Sequence, residues 1–259
     1  MQKRLLILVA VGLVALLASV AASAEIRQVG NLRITFSGGF TPQALPRERP
    51  APIKLDVAGK ISTVDGSHPP ALKRIEIGLH RNGQLSTVGL PACTTGDLQS
   101  TTTETALERC RPALVGRGKF KADFAFPDLE PVPATGPILA FNGRRAGKPA
   151  LFFHLYTASP ARLTFVLPLT ITHRQGQRFG TLLAGDIPVL ASGLGSVSDI
   201  DVEIGRTYTY RGKKRSYISA ACAAPAGFPG AIFSLARGSF KFADGRTINA
   251  TLSGNCKVR

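Results

Sequence analysis

Apolar residues recur at every second position through much of this chain, and that period leaves few folds open. Ile53, Leu55, Val57 and Ile61 alternate with Lys54, Asp56 and Lys60, and Ile75, Ile77 and Leu79 alternate with Arg74, Glu76 and His80. Phe120, Ala122 and Phe124 do the same, as do Ile200, Val202 and Ile204, and again Ile248, Ala250 and Leu252. Successive side chains of a strand point to opposite faces, so each segment buries one face and wets the other. Asp65-Gly66, Asn82-Gly83, Asn142-Gly143 and Asp244-Gly245 punctuate these runs. Such dipeptides accept the positive φ of tight hairpins, which predicts antiparallel pairing. The expected fold is all-β: an antiparallel β-sandwich, either one body or two abutting lobes, with a closed barrel as the alternative.

Within this pattern the run 151–156 is almost continuously apolar, as a central strand buried on both faces would be, and the run 163–171 carries Pro168. Proline cannot donate to a ladder, so an edge or bulge is expected there. One segment reads as a short helix, near 101–110, with a threonine cap and a glutamate in its first turn. Of two Pro-rich stretches, 41–53 reads as extended chain and 127–137 as a linker or a long sheet-to-sheet crossover. The expected layout is a leader over 1–24, an extended N-terminal segment with one strand over 25–52, and the β-sandwich region over 53–259. A lobe boundary would fall at 127–137.

The leader rests on Lys3-Arg4, an apolar run over 5–20 and the small residues Ala22-Ser23-Ala24. Those are the three regions of a secretory signal peptide. A retained anchor is the alternative, since the run is about long enough to span a bilayer. Beyond it no apolar stretch is long enough to cross, so no transmembrane segment is expected after cleavage. Secretion places the chain in a compartment where disulfides persist. Its four cysteines, Cys93, Cys110, Cys222 and Cys256, then allow three connectivities, and proximity favours Cys93–Cys110 and Cys222–Cys256. No Cys-x-x-Cys pair or neighbouring histidine supplies a metal-ligand spacing, so no metal is expected.

The formal charge is +16. A secreted protein with that excess is attracted to anionic matter: wall polymers, lipid headgroups or acidic polysaccharide. The densest basic cluster is Arg206, Arg211, Lys213, Lys214 and Arg215, interleaved with Tyr208, Tyr210 and Tyr217. A second basic turn holds Arg144, Arg145 and Lys148. These eight cations are the candidate binding residues. Against that reading, Tyr208 and Tyr210 continue the buried alternation of Ile200, Val202 and Ile204, as core residues beside a solvated turn would. No specific nucleic-acid motif is present. Asp199, Asp201 and Glu203 share one strand face, a spacing compatible with glycoside hydrolysis or calcium, but a cross-strand ion-pair ladder explains them without chemistry. His154 sits in an apolar run as a core histidine would. No nucleophile elbow, zinc helix or phosphate loop occurs. No catalytic residue and no cofactor is therefore expected.

The stretches Gly89-Leu90-Pro91-Ala92-Cys93, Cys110-Arg111-Pro112-Ala113-Leu114-Val115-Gly116, Leu139-Ala140-Phe141-Asn142-Gly143 and Arg215-Ser216-Tyr217-Ile218-Ser219-Ala220-Ala221-Cys222 resemble a group of secreted, four-cysteine, β-rich proteins of soil actinobacteria. The resemblance covers most of residues 30–259. It implies an extracytoplasmic bacterial address and the four-cysteine framework, and it brings no activity with it. The functional expectation is a secreted or envelope-associated, non-enzymatic protein that binds an anionic surface polymer or headgroup layer through Arg-rich hairpin tips. The alternatives are a secreted hydrolase and a structural subunit of an extracellular assembly. Oligomeric state is open.

Overall fold

In the computed structural model the described residues are 23–125, 130–188 and 195–259. All of the expected leader but Ser23 and Ala24, and part of the expected boundary at 127–137, lie outside them. The chain opens with the hairpin β1 (Ser23–Val29) and β2 (Leu32–Thr41), then the short β3 (Ala44–Leu45) and β4 (Ala51–Pro52). Next come β5 (Lys54–Thr63), β6 (Leu72–His80) and β7 (Gly83–Leu85), followed by helices α1 (Thr95–Leu98) and α2 (Thr103–Cys110). Strands β8 (Leu114–Phe124), β9 (Val132–Arg145), β10 (Lys148–Thr157), β11 (Leu163–His173), β12 (Phe179–Asp186) and β13 (Gly195–Ile204) follow. The rest is β14 (Thr207–Tyr210), β15 (Lys213–Ser216), β16 (Ile218–Ala220), β17 (Gly230–Phe242) and β18 (Thr247–Val258).

Thirteen of these strands form one sheet, in the order β1-β2-β5-β13-β8-β9-β10-β11-β12-β6-β17-β18-β3. Every pairing is antiparallel except the short β18–β3 contact. The sheet curls until its two edges meet. At the seam, the Thr251 N–H donates to the Glu25 carboxylate. The Arg246 guanidinium donates to Val29 O at 3.0 Å and to Asn31 Oδ1 at 2.9 Å. Phe36 of β2 packs edge-on against Phe240 of β17, with centroids 5.7 Å apart. Facing halves of the sheet thus pack through a common core as sandwich layers do, while staying continuous around the curl. That core draws on residues from both sides of 127–137, such as Ile34 and Phe120 with Leu151 and Ile248.

The alternation sets which face turns inward. Leu55, Phe120, Val202, Ile248 and their alternating neighbours join the core, while Lys54, Lys119, Asp201 and Glu203 face outward. Apolar in and charged out is the reverse of a membrane-crossing barrel. Among the described residues no helix is long and apolar enough to cross a membrane. One stretch of wall is covered on both sides, as the apolar run 151–156 requires. Leu151 and Leu155 face the interior. Phe152, with Leu139 and Phe141 of β9, faces outward into a second cluster built with Leu98 and Ala106 of the two helices. Thr102 caps α2, its Oγ1 accepting from Thr105 N at 3.3 Å. The helix expected near 101–110 is therefore α2, and α1 precedes it with its own capping box of Thr94 and Asp97. Strand β11 has neighbours on both sides, but its ladder with β12 spans only Thr170–His173, so Pro168 sits beside a local edge.

About eight strands close around an interior that side chains just fill, and wider barrels leave room. Here one half of the excess width is plugged. Strands β4, β16 and β7 form a small three-stranded sheet at one end. Ile53 N donates to Ile218 O at 3.2 Å and Ser86 N to Tyr217 O at 2.8 Å. The Arg47 guanidinium donates to Pro225 O and Phe228 O at 2.6 and 3.0 Å. Both disulfides, Cys93–Cys110 and Cys222–Cys256, lie at this same end, with Cα separations of 5.8 and 5.7 Å. They are the two local pairings expected. Replacing Cys222 and Cys256 together by alanine should lower the unfolding free energy by about 3–4 kcal/mol through lost loop closure. Chemical denaturation of the purified double variant against the parent measures it.

Candidate functional site

Two regions stand out, one at each end of the curled sheet. At the plugged end the two basic hairpins come together. Both have two-residue tips with positive φ at each central position: Arg211 (50°) with Gly212 (72°), and Ala146 (49°) with Gly147 (77°). This is the turn type whose twist matches paired strands. The tip of the second hairpin is therefore Ala146-Gly147 and not Asn142-Gly143, which lies inside β9. Asn142 instead ties a loop to the sheet. Its Nδ2 donates to Pro91 O at 2.8 Å, and its carbonyl accepts from Cys93 N at 2.9 Å. Gly143 is needed for close approach, since a Cβ there would lie 2.1 Å from the Phe152 ring and 2.6 Å from Cys93 O.

The loop 86–93 straps the hairpins to one another. At its start, Tyr208 Oη donates to Val88 O at 2.6 Å, and the Tyr210 ring lies on Gly89, where a Cβ would come within 2.3 Å of the ring. At its finish, Pro91 and Cys93 hold Asn142 and Gly143. Tyr208 and Tyr210 are thus half-buried anchors of a separate two-stranded sheet and do not prolong the core face of β13. The chain turns out of β13 at Gly205-Arg206, and the fully buried tyrosine is Tyr217.

Of the eight candidate cations, Arg211, Lys213, Lys214, Arg215, Arg145 and Lys148 are exposed. Arg211 stacks over Tyr210, its Cζ 5.3 Å from the ring centroid. Arg144 is exposed and donates to Gly147 O at 3.3 Å. Arg206 differs: half-buried, it donates to Pro112 O at 2.6 Å and Leu114 O at 2.8 Å, tying the hairpin base to the start of β8. Arg109 and Arg111, which charge density along the sequence does not single out, add exposed charge beside them. Their position follows from the Cys93–Cys110 bond, which draws α2 to this end.

The acids of β13 form a ladder. Glu203 pairs with Lys54 at 2.9 Å and Asp201 with Lys119 at 3.7 Å, while Asp199 stands opposite Lys60 and Lys121. The partners are on the flanking strands β5 and β8. His154, wholly buried, has its Nε2 3.0 Å from Thr101 Oγ1 and 3.1 Å from Thr101 O. Burial holds this imidazole below its ordinary range. It anchors the helical segment to β10. The one grouping with metal-ligand spacing among the described residues is Cys93, Asp97 and Cys110. Its sulfurs are spent in a disulfide, and Asp97 caps α1.

Among the described residues, no segment folds across the other end. Inside it lies a cavity of about 310 Å³, walled by Ile61, Leu72, Leu155, Phe165, Leu167 and Ile187 among others. Phe153, Phe165, Leu167 and Ile200 point inward yet stay partly exposed, because they face this space instead of one another. Ser196, Ser198 and Lys73 stand at its rim. Ser196 Oγ is 3.1 Å from His68 Nε2. Among the described residues no carboxylate orients that histidine, and nearby Asp65 is engaged by Asn31 and Ser67. The pair ties the β5–β6 loop to the start of β13.

The sequence shows the alternation that builds this cavity but not the cavity itself, since an inward residue facing a void and one facing a neighbour look alike. Gly143→Ala should destabilise the fold by about 1–3 kcal/mol, because Phe152 and the Cys93 carbonyl would have to move; thermal and denaturant unfolding check it. A scan against protein-family models finds no match, and searches of curated proteins and of solved structures find none either.

Proposed function

We propose that this is an extracytoplasmic, non-enzymatic binding protein that holds an apolar ligand inside its curled sheet. The observation that carries the reading is the apolar cavity of about 310 Å³. Protein interiors are close-packed, and voids larger than a water molecule are few. Apolar side chains that face such a space and not one another forgo burial that would stabilise the fold. A space of this size, lined by apolar side chains with a few polar groups among them, has the form of a small-molecule site. The two disulfides and the resemblance to secreted proteins support the extracytoplasmic address. Titration with the neutral fluorescent probe 1-aminoanthracene should give saturable binding of one probe per chain. Ile200→Trp, which narrows the cavity midway along β13, should weaken that binding severalfold. Absence of saturable binding by the folded protein would overturn the reading.

The basic end supports a second contact, with an anionic envelope polymer or lipid headgroup layer. What favours it is that two basic hairpins, far apart in sequence, are strapped to one end by residues 86–93. Neutralising Lys213 and Lys214 to glutamine should weaken adsorption to anionic vesicles about 30-fold, at about 1 kcal/mol per cation. Raised salt should do the same to the parent. Co-sedimentation with vesicles and with isolated wall polymer measures both. The Ser196–His68 pair is the single observation on the side of a hydrolase. Turnover of a p-nitrophenyl acyl ester that Ser196→Ala abolishes would replace the binding reading with that one.

A further inference from the structure

Beside the main chamber, toward the plugged end, lies a second space of about 80 Å³, and the two share Ile75, Phe153, Ile200, Val202 and Phe240 as common wall. Its floor is Leu85, Ile204 and Ile218, and Leu85 and Ile218 belong to the small sheet that forms the plug. Joined through that wall, the two would make a blind bore. Along β13 it runs from Val197 at the mouth to Ile204 at the floor, roughly 20 Å at about 3.3 Å per residue. Polarity is confined to one end. Lys60, Lys73, Ser196, Ser198 and Asp199 are among the residues lining the main chamber, while the inner space is walled by side chains such as Phe36, Leu55, Ile77 and Leu183 and presents no polar atom.

From this shape we infer that the ligand is a single unbranched acyl or alkyl chain, inserted tail-first, with its polar head left at the Ser196–Lys73 rim. The inference rests on the binding reading above and narrows it. A cavity of about 150 Å³ that accepts benzene allots roughly 25 Å³ to each carbon. On that scale the main chamber of about 310 Å³ takes about twelve carbons, and the inner one of about 80 Å³ about three more. One chain of about fifteen carbons fills the bore. A two-chain lipid, or a polycycle broader than a linear fused-ring system such as anthracene, does not fit a long, narrow, blind space. Because the inner wall offers nothing to a polar group, a head at the deep end would lose its hydrogen bonds, which fixes the direction of entry.

Gly59 provides a ruler. It faces the bore, and a Cβ there would meet nothing nearer than Ile200 Cγ1, at 3.5 Å, which is ordinary contact. Gly59→Leu therefore puts four carbons into the channel with little demand on the backbone. The experiment is calorimetric titration of the intact, disulfide-bonded protein with n-alkyl maltosides of increasing chain length, below their micelle-forming concentrations. Their uncharged heads keep the basic end out of the measurement. The expected result is one chain per protein, with affinity rising about fourfold per methylene to a plateau near fifteen carbons. In Gly59→Leu the plateau moves to chains about four carbons shorter. Ile200→Trp, at the same depth on the facing strand, serves as a second variant, expected to move the plateau to shorter chains as well. If 1-aminoanthracene binds but chain length has no effect, or compact polycycles of equal carbon number bind as well as chains, the inference fails while the binding reading stands. If folded protein binds neither chains nor 1-aminoanthracene, both fail.

Discussion

A sheet of thirteen strands with one apolar face must roll up or leave that face in water. Everything else in this molecule follows from that requirement. Strand twist gives the sheet its tendency to coil, and the alternation of Leu55, Val57 and Ile61 with Lys54, Asp56 and Lys60 decides which way it coils. The long strands are too many for their side chains to meet in the middle. The chain resolves the surplus differently at its two ends. Residues near 44–53, 83–90 and 217–225 fold back across one end and fill it. No equivalent segment among the described residues does so at the other.

Much of the fold is legible in residue order because it depends on local rules. Period two marks the strands, Asp244-Gly245 marks a turn, and Cys93 and Cys110 lie close enough for their pairing to be the natural choice. Asn142-Gly143 misleads for an instructive reason. Its chemistry suits a hairpin tip, but the tip falls four residues later, where Ala146-Gly147 adopts positive φ without an asparagine. Glycine is required at 143 by the Phe152 ring, a neighbour on the adjoining strand that residue order does not reveal. The basic residues are legible as charge but not as a group. Arg206 looks like its neighbours in sequence, yet in the folded chain its guanidinium is spent on two carbonyls. The bore is the least legible feature, because it is a property of circumference, set by the total number of strands and by which segments fold inward.

The two ends also differ in how they are held. Covalent bonds lock the plugged end through Cys93–Cys110 and Cys222–Cys256. At the mouth the described loops are joined by polar contacts. Asp65 accepts from Asn31 at 2.8 Å, Asn31 from Arg246 at 2.9 Å, and Asp244 from Arg246 at 2.6 Å. The outer face of β9 and β10 is stiffened further by α1 and α2 packed against it, with His154 as an internal pin.

The seam gives this hoop a clasp. Elsewhere around the circumference neighbouring long strands are joined by a backbone ladder, whose bonds must break together. Between β1 and β18 the join is made by the Glu25 carboxylate, the Arg246 guanidinium and packed side chains. Outward pressure on the wall is therefore not shared evenly, and it concentrates on the line where the fewest backbone bonds resist. Because the clasp is built from side chains, its strength is set by two or three residues, and the girth of the hoop can change in evolution or by design without rebuilding the ladder.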